Sequence, residues 1–357
     1  MSLMEKLKKN STSKMSSVLS DSEFFNDKDT ITTKIPIINV ALSGKLDGGF
    51  QPGLTMFAGP SKHFKTAFSL LMAKSYMDKY DDAVLLFYDS EFGTPQAYFT
   101  SFGIDMNRVF HTPVTDVEQL KFDISSQLNE IKRGDHVIIV VDSVGNLASK
   151  KEVEDALNEK SVADMSRAKA LKSLFRIVTP HLTMKNLPMV VVNHTYKEIA
   201  LFPKDIVGGG TGSYYSADNI FIIGRQQEKD ADGIAGYNFI INVEKSRYVR
   251  EKAKIPVTVL HKGGISRWSG LVDLAVASGH VIKPSNGWYQ RVDMTTGEIE
   301  EKKFRLKDTE SRDFWAPVLG CEKFQKWVEQ KYMVSHGDII EAEDVAEDVY
   351  SQIGEDE

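Results

Sequence analysis

Lys65 and Thr66 are the first residues of this chain whose types and setting imply chemistry. They close the turn Gly59-Pro60-Ser61-Lys62-His63-Phe64-Lys65-Thr66, which follows a short apolar run, Leu54 to Ala58. The segment after it, Ala67 to Tyr80, carries Phe68, Leu71, Met72 and Tyr76 at helical spacing, so strand, loop and helix are expected in that order. Backbone N–H groups at a helix N-terminus lack intrahelical partners and point outward with the positive end of the dipole. A polyphosphate is their natural ligand. Lys65 then suits the β/γ-phosphates of ATP and the Thr66 hydroxyl suits Mg2+. One position departs from the G-x-x-x-x-G-K-[ST] pattern: Phe64 stands at the second glycine. An aromatic side chain resists φ > 0, so the loop is expected to reach its phosphate cradle in another way. A lysine-capped surface turn is the alternative.

Three further polar groups follow apolar runs. Ala83 to Tyr88 ends in Asp89-Ser90-Glu91, Val137 to Val141 in Asp142-Ser143, and Met189 to Val192 in Asn193-His194. Open α/β sheets bind ligands outside the carboxyl ends of their strands, which is where all three groups would stand. Glu91 is then a candidate to activate water, or else a surface or helix-capping acid. Asp142 ends a continuous β-branched run and suits a buried acid beside Mg2+. His194 joins the same edge. Tyr98, on a helix begun by Thr94-Pro95, either packs in the core or stacks on a base.

The segment 196–212 holds Lys197, Phe202, Lys204 and the run Gly208-Gly209-Gly210-Thr211-Gly212. So many glycines are expected to exclude a regular element, and a loop of this length is uncommon without a task. Its lysines and aromatic rings suit a single nucleic-acid strand, with charge along the backbone and rings against bases. A second basic cluster, residues 244–252 with Lys245 and Arg247, reads as a solvated hairpin tip between two strands.

The elements that must hold these groups are legible along the 357 residues. Strands are expected at the runs above and at Asn219 to Gly224, Tyr237 to Val243 and Ile255 to Leu260. Helices are expected over 116–132 and over 149–180. Residues 1–29, rich in Ser and Lys, suggest an arm with a short amphipathic helix through Met15, Val18 and Leu19 that ends at Phe24-Phe25. A core spans 30–270, and a smaller helical and hairpin region spans 271–337. The last residues, 338–357, hold nine acids and no Lys or Arg, which suggests a mobile tail. The net charge of −6 argues against a uniformly basic nucleic-acid coat while leaving local patches open. The single cysteine, Cys321, excludes an internal disulfide framework and a cysteine-cluster zinc site. No run is long and apolar enough to span a bilayer, and neither secretion nor membrane insertion is expected.

Taken together, Gly-Pro-Ser-Lys-x-Phe-Lys-Thr, Tyr-Asp-Ser-Glu-Phe-Gly, Val-Asp-Ser-x-Gly-Asn-Leu-Ala-Ser-Lys-Lys-Glu, Asn-His-Thr-Tyr, Gly-Gly-Gly-Thr-Gly and Val-Glu-Lys-Ser-Arg resemble the RecA-type strand-exchange recombinases, over about residues 30–290. Phe64 matches the bacteriophage form of that loop. The resemblance implies an α/β fold, a RecA-like P-loop ATPase core of twisted, mainly parallel sheet between helices, with a small N-terminal arm and a C-terminal α+β region. It implies a DNA-dependent ATPase that forms helical filaments on single-stranded DNA and pairs it with double-stranded DNA in recombination and repair. ATP and Mg2+ are the implied cofactors, single-strand-binding and loading proteins the implied partners, and the host cytoplasm the implied location. Position by position, the loop Gly59 to Phe64 with Lys65 and Thr66 would hold phosphate and Mg2+. Asp142 would support the Mg2+, Glu91 would activate water, and Tyr98 would stack on adenine. His194, where most of the wider family places glutamine, would couple the γ-phosphate to a DNA loop at 196–212 containing Lys197, Phe202, Lys204, Gly208, Gly209 and Gly210. A first DNA loop would lie near 149–166. Lys245 and Arg247 would reach the nucleotide of a neighbouring protomer, on which residues 1–29 would dock. Two alternatives are a RecA-core ring helicase and a non-catalytic single-strand-binding accessory protein.

Overall fold

The computed structural model describes residues 1–13, 15–22, 29–158, 165–198, 201, 203–230 and 233–334. Nine strands form one sheet in the order β11-β10-β9-β8-β1-β5-β4-β2-β3. They are β1 (Gly53–Ala58), β2 (Val84–Asp89), β3 (Val109–Pro113), β4 (Val137–Asp142), β5 (Pro188–Asn193), β8 (Asn219–Asp230), β9 (Gly233–Ser246), β10 (Lys254–Leu260) and β11 (Gly264–Ile265), with β6 (Thr195–Lys197) and β7 (Asp205–Val207) making a separate hairpin. Pairing is parallel from β3 across to β8. It is antiparallel from β8 to β11.

The period-two alternation of a strand sends neighbouring residues to opposite faces, and each face here is covered. Met56, Leu86, Tyr88, Ile139, Val141 and Val191 pack with Leu120, Ile124 and Leu128 of helix Val117–Glu130 and with Leu171, Leu174 and Phe175 of helix Ser166–Lys185. Phe57, Leu85, Phe87, Ile138, Val140 and Val190 pack on the other side with helices Pro36–Ser43 and Lys65–Lys79. That second cluster continues into Phe304, Phe314, Trp315 and Phe324, so residues beyond 271 share the core's apolar surface. They form helix Leu271–Ala277, the three-stranded sheet β12 (Val281–Ser285), β13 (Trp288–Arg291) and β14 (Phe304–Arg305), and helices Arg312–Leu319 and Glu322–Tyr332.

The secondary structure departs from the sequence expectation in several places. The N-terminal helix is Leu3–Asn10, not a helix through Met15 and Leu19. Ser2 and Glu5 close a capping box there, while the serines that follow compete for backbone hydrogen bonds. Phe24-Phe25 lie outside the described residues. β3 was not anticipated, because a partly exposed edge strand containing His111, Thr112 and Pro113 has no apolar run. β8 and β9 run well beyond their apolar centres, supported by cross-strand contacts such as Arg225 over the Tyr237 ring at 4.8 Å. Finally, the glycine run does enter a regular element, helix Thr211–Ser216. A Cβ at Gly212 would lie 2.7 Å from the Lys172 Cα, so glycine there permits close packing on helix Ser166–Lys185.

The strand that carries the phosphate turn is approached through helix Pro36–Ser43, and Asn39 anchors that approach. Its buried side-chain carbonyl accepts from the Thr33 N–H at 2.8 Å and hydroxyl at 2.7 Å, and its amide donates to the carbonyls of Thr33 and Leu46, each at 3.0 Å. Asn39→Ala leaves those buried groups unpaired and is expected to cost about 1–3 kcal/mol in urea denaturation. An unchanged midpoint would mean that water replaces the side chain at no cost.

Candidate functional site

Four strands adjacent in the sheet, β1, β5, β4 and β2, each deliver one of the groups expected to do chemistry. Gly59 leaves β1, His194 leaves β5, Asp142 ends β4, and Ser90-Glu91 leaves β2. Register fixes their depth: Asp89 pairs with Asp142, and Ala58 with Asn193. The resulting pocket, about 310 Å³, is lined by Ser61 to Ala67, Glu91, Tyr98, Asp142 and His194 among others.

The turn reaches its conformation through the positive φ that an aromatic residue resists. Phe64 lies at φ 62°, ψ 16°, in the left-handed region, and Lys62 also has φ 62°. A non-glycine residue there costs about 1–3 kcal/mol. The Phe64 ring stacks on Phe239 at 4.9 Å and meets the Phe68 edge at 5.4 Å, each contact contributing about 0.5–1.5 kcal/mol beyond burial. Side-chain packing therefore offsets the strain that glycine would have avoided. Helix Lys65–Lys79 begins immediately, so the turn's amides stand at a helix N-terminus.

Inside the pocket the charges are incompletely satisfied. The Lys65 ammonium, almost entirely buried, donates to the Pro60 carbonyl at 2.8 Å. Burial pushes its pKa below the ordinary value, against the opposing pull of Glu91 and Asp142. Thr66 Oγ1 donates to Asp142 Oδ2 at 2.7 Å, while the buried Asp142 Oδ1 has no hydrogen-bond partner among the described residues. Burial, aided by Glu91 and Asp89 and opposed by Thr66, pushes Asp142 up to about 6. An orphaned carboxylate oxygen beside a hydroxyl fits a hard cation such as Mg2+, which takes one or two protein oxygens and completes its shell with phosphate and water. Glu91 Oε1 accepts from Ser143 Oγ at 2.7 Å and from His194 Nε2 at 3.0 Å. The His194 hydrogen bond, against burial and with help from Ser143, holds the Glu91 carboxyl below its usual range. Tyr98, half-buried, borders the same pocket and makes an edge contact with Phe102 at 5.5 Å.

The residues expected to form a DNA loop follow directly from this site. The segment after His194 is not an open coil: Thr195, Tyr196 and Lys197 pair with Val207, Ile206 and Asp205. Gly208 N–H donates to the His194 carbonyl at 2.9 Å, and the Gly208 carbonyl accepts from Asn193 Nδ2 at 2.9 Å. Gly209 and Gly210 follow at φ 89° and 76°. Lys197 pairs with Asp205 at 2.9 Å, Lys204 is exposed, and Phe202 lies outside the described residues, as do 159–164 in the expected first loop. Lys245 and Arg247 do not line the pocket of their own chain: Arg247 is exposed in the connection between β9 and β10, as the sequence suggests, whereas Lys245, near the end of β9, is partly buried. Lys245 donates to the carbonyls of Tyr214 at 2.8 Å and Tyr215 at 3.3 Å, and Arg247 pairs with Asp218 at 2.6 Å. Sequence reasoning gave no role to Gly145, although its place three residues past a strand-ending aspartate marks it. A Cβ there would lie 2.2 Å from the His194 ring.

A mainly parallel sheet presenting such a turn, a buried acid and a second carboxylate at adjacent strand ends defines an α/β protein of the P-loop class. Comparison with known proteins carries the assignment further. Residues 3–266 match the model of the RecA N-terminal domain, and residues 268–328 match the C-terminal domain of the bacteriophage T4 recombination and repair protein. The chain is 52% identical over 348 residues to the recombination and repair protein of Enterobacteria phage T4, covering 96% of this chain and 89% of that one. It is 25% identical over 258 residues to protein RecA of Cereibacter sphaeroides, covering 71% and 73% of the two chains. Against protein RecA of Bacteroides thetaiotaomicron it is 25% identical over 299 residues, covering 83% and 87%. The chain belongs to the RecA family and is a RecA-like recombinase.

The site's energetics set three expected outcomes. Because Phe64 sits at positive φ, Phe64→Ala keeps the strain and loses the stacking, whereas Phe64→Gly loses both. Phe64→Gly is therefore expected to be the more stable of the two by about 0.5–1 kcal/mol in thermal unfolding, the reverse of the usual alanine–glycine order. Asp142 has a folded pKa above its unfolded one, so the folded state binds this proton more tightly. Its contribution to stability falls as pH rises from about 4 to about 6, and the full penalty persists above that window. Asp142→Asn is expected to stabilise the nucleotide-free protein at neutral pH by on the order of 3 kcal/mol at most, with no gain below about pH 4. The same variant is expected to lose the thermal shift that Mg2+ with an ATP analogue gives the parent. Differential scanning calorimetry across pH checks both.

Proposed function

We propose that this chain hydrolyses ATP with Mg2+ in a DNA-dependent manner, assembles into helical filaments on single-stranded DNA, and pairs that strand with homologous duplex in recombination and repair. The carrying observation is the position of His194, which is hydrogen-bonded to Glu91 in the nucleotide pocket and is joined through one peptide bond to the β6–β7 hairpin.

Each side chain then has a task. Lys65 and the amides of the turn Gly59 to Thr66 would bind the phosphates, with Pro60, Ser61, Lys62, His63 and Phe64 shaping that turn. Thr66 and Asp142 would hold Mg2+, which neutralises charge on the phosphates, and Tyr98 would stack on the base. Glu91 would accept a proton from the attacking water as its oxygen bonds to the terminal phosphorus and the phosphoanhydride bond breaks, its electron pair leaving on the nucleotide product. His194 would exchange its bond to Glu91 for one to the γ-phosphate, moving the hairpin that bears Lys197, Lys204 and Gly208 to Gly210, with Phe202, toward DNA. The segment 149–166 would supply the first DNA loop.

Lys245 and Arg247 would act in trans, since neither lines the pocket of its own chain. Residues 1–29 would dock on the adjoining protomer, and the acidic residues 338–357 would compete with DNA for basic surface. Single-strand-binding and loading proteins are the expected partners and the host cytoplasm the expected location. Among the described residues no helix is long and apolar enough to cross a membrane.

The test combines two inactive variants. Glu91→Gln should bind an ATP analogue and DNA yet turn over slowly, because only the proton acceptor is lost. Lys245→Ala/Arg247→Ala keeps its acceptor but lacks the trans cations, which in other nucleotide hydrolases are worth roughly 10³ to 10⁵ in rate. Mixed filaments on single-stranded DNA contain interfaces with both parts intact, so their hydrolysis should exceed the sum of the two variants assayed alone. Strict additivity, with mixed filaments confirmed by microscopy, refutes action in trans, and parental turnover by Glu91→Gln refutes the role of Glu91.

A further inference from the structure

Both donors to Glu91 use one oxygen. Ser143 Oγ and His194 Nε2 each bond Oε1, whereas among the described residues Oε2 makes no hydrogen bond or ion pair. The two donors differ in their freedom. His194 is about one-third exposed and stands at the base of the hairpin. Ser143 is fully buried, and its main chain is gripped from β2: Ser90 Oγ donates to the Ser143 carbonyl at 2.6 Å and accepts from its N–H at 3.0 Å. Ser90 N–H in turn donates to the Asp142 carbonyl at 2.9 Å, tying the ends of β2 and β4 together. The Glu91 and Phe92 amides are fixed independently by Asp89 Oδ1, at 3.0 and 2.7 Å.

We infer that Ser143 is the positioning residue for Glu91: its hydroxyl holds Oε1 whatever His194 does, so that Oε2 is the atom that takes the proton, and Ser90 keeps Ser143 in place. A carboxylate on a two-carbon arm otherwise samples several rotamers, and the rate depends on the fraction aimed at the water. When His194 leaves for the phosphate, Glu91 would lose one of its two donors. Ser143 is the donor that stays, because it is fully buried and its backbone is held on both polar atoms by Ser90. The motif Asp-Ser occurs at both strand ends, Asp89-Ser90 and Asp142-Ser143, and the two serines have complementary tasks, one gripping a backbone and the other a carboxylate.

This inference rests on Glu91 acting as the proton acceptor, and the experiment separates the two. Single-turnover hydrolysis and analogue affinity are measured on single-stranded DNA for Ser143→Ala, Ser90→Ala, Glu91→Gln and Ser143→Ala/Glu91→Gln. Ser143→Ala is expected to lower the rate constant about 10- to 100-fold, the range usual for groups that orient a reacting side chain, while KM and analogue affinity stay within about twofold. Ser90→Ala is expected to fall in the same direction by less. In the Glu91→Gln background Ser143→Ala should cost nothing more, since there is no base left to aim; a merely structural serine would lower both backgrounds equally. Parental rates for Ser143→Ala beside an inactive Glu91→Gln overturn the inference and leave the role of Glu91 standing. Parental rates for Glu91→Gln remove the reading beneath it. Should Ser143→Ala fail to bind the analogue, Ser90→Ala decides: a parental rate constant overturns the inference, and a selective fall in rate at unchanged KM upholds it.

Discussion

The parallel register of β1, β5, β4 and β2 is the constraint on which this site depends. With Asp89 opposite Asp142 and Ala58 opposite Asn193, the strand ends reach one level, and the first residues beyond them become neighbours. A slip of one residue would turn every side chain to the other face of the sheet. Such a slip is strongly opposed, since both faces are buried: Ile139 and Val141 would trade places with Ile138 and Val140 against differently shaped helix faces. The apolar core thus sets the depth at which Asp142, Glu91 and His194 stand.

That rigidity allows the site to hold groups that gain little from their own surroundings. Lys65 is buried with its pKa lowered, Asp142 is buried with one oxygen unpaired and its pKa raised, and Phe64 occupies a backbone region costing about 1–3 kcal/mol. Lys65 and Asp142 are unfavourable in the nucleotide-free protein, and the proposed ligand would relieve both. A polyphosphate would supply counter-charge to Lys65, a bound cation would supply a partner for Asp142, and the turn's amides would gain acceptors, while the strain at Phe64 is already offset by its stacking on Phe239. Perturbed buried groups of this kind mark a binding site.

Much of this architecture is legible in the sequence, because buried parallel strands are written as continuous apolar runs and the groups that matter stand immediately after them. Glu91, Asp142 and His194 were all located by that rule alone, and the structure brings them to one pocket with Lys65 and Thr66. The failures have equally local causes. Phe64 was expected to force a different loop, but its tolerance of positive φ derives from Phe239, which lies far along the chain and cannot be read from the turn. The Gly208 to Gly212 run was read by composition as irregular, whereas it combines a bond to His194, two positive φ angles and a close helix contact at Gly212. Lys245 was read as solvated because its acceptors, the carbonyls of Tyr214 and Tyr215, are backbone atoms without a sequence signature.

The same backbone contacts bear on how a nucleotide pocket could communicate with a DNA-binding segment. His194 is held on three sides: its ring by Glu91, its N–H by the Asn193 side chain at 2.8 Å, and its carbonyl by the Gly208 N–H. Gly145 brings the 144–147 loop close to the ring, where a Cβ would lie 2.2 Å from it. That loop is separately pinned by Arg167, which donates to the carbonyls of Val144, Gly145 and Leu147. Movement is therefore easier through the His194 carbonyl and the β6–β7 hairpin than through β4. In the proposed cycle the base stays anchored to the rigid side of the site and the histidine belongs to the side that can move. Hydrolysis and DNA contact would then be coupled through one side chain without loosening the carboxylate that performs the chemistry.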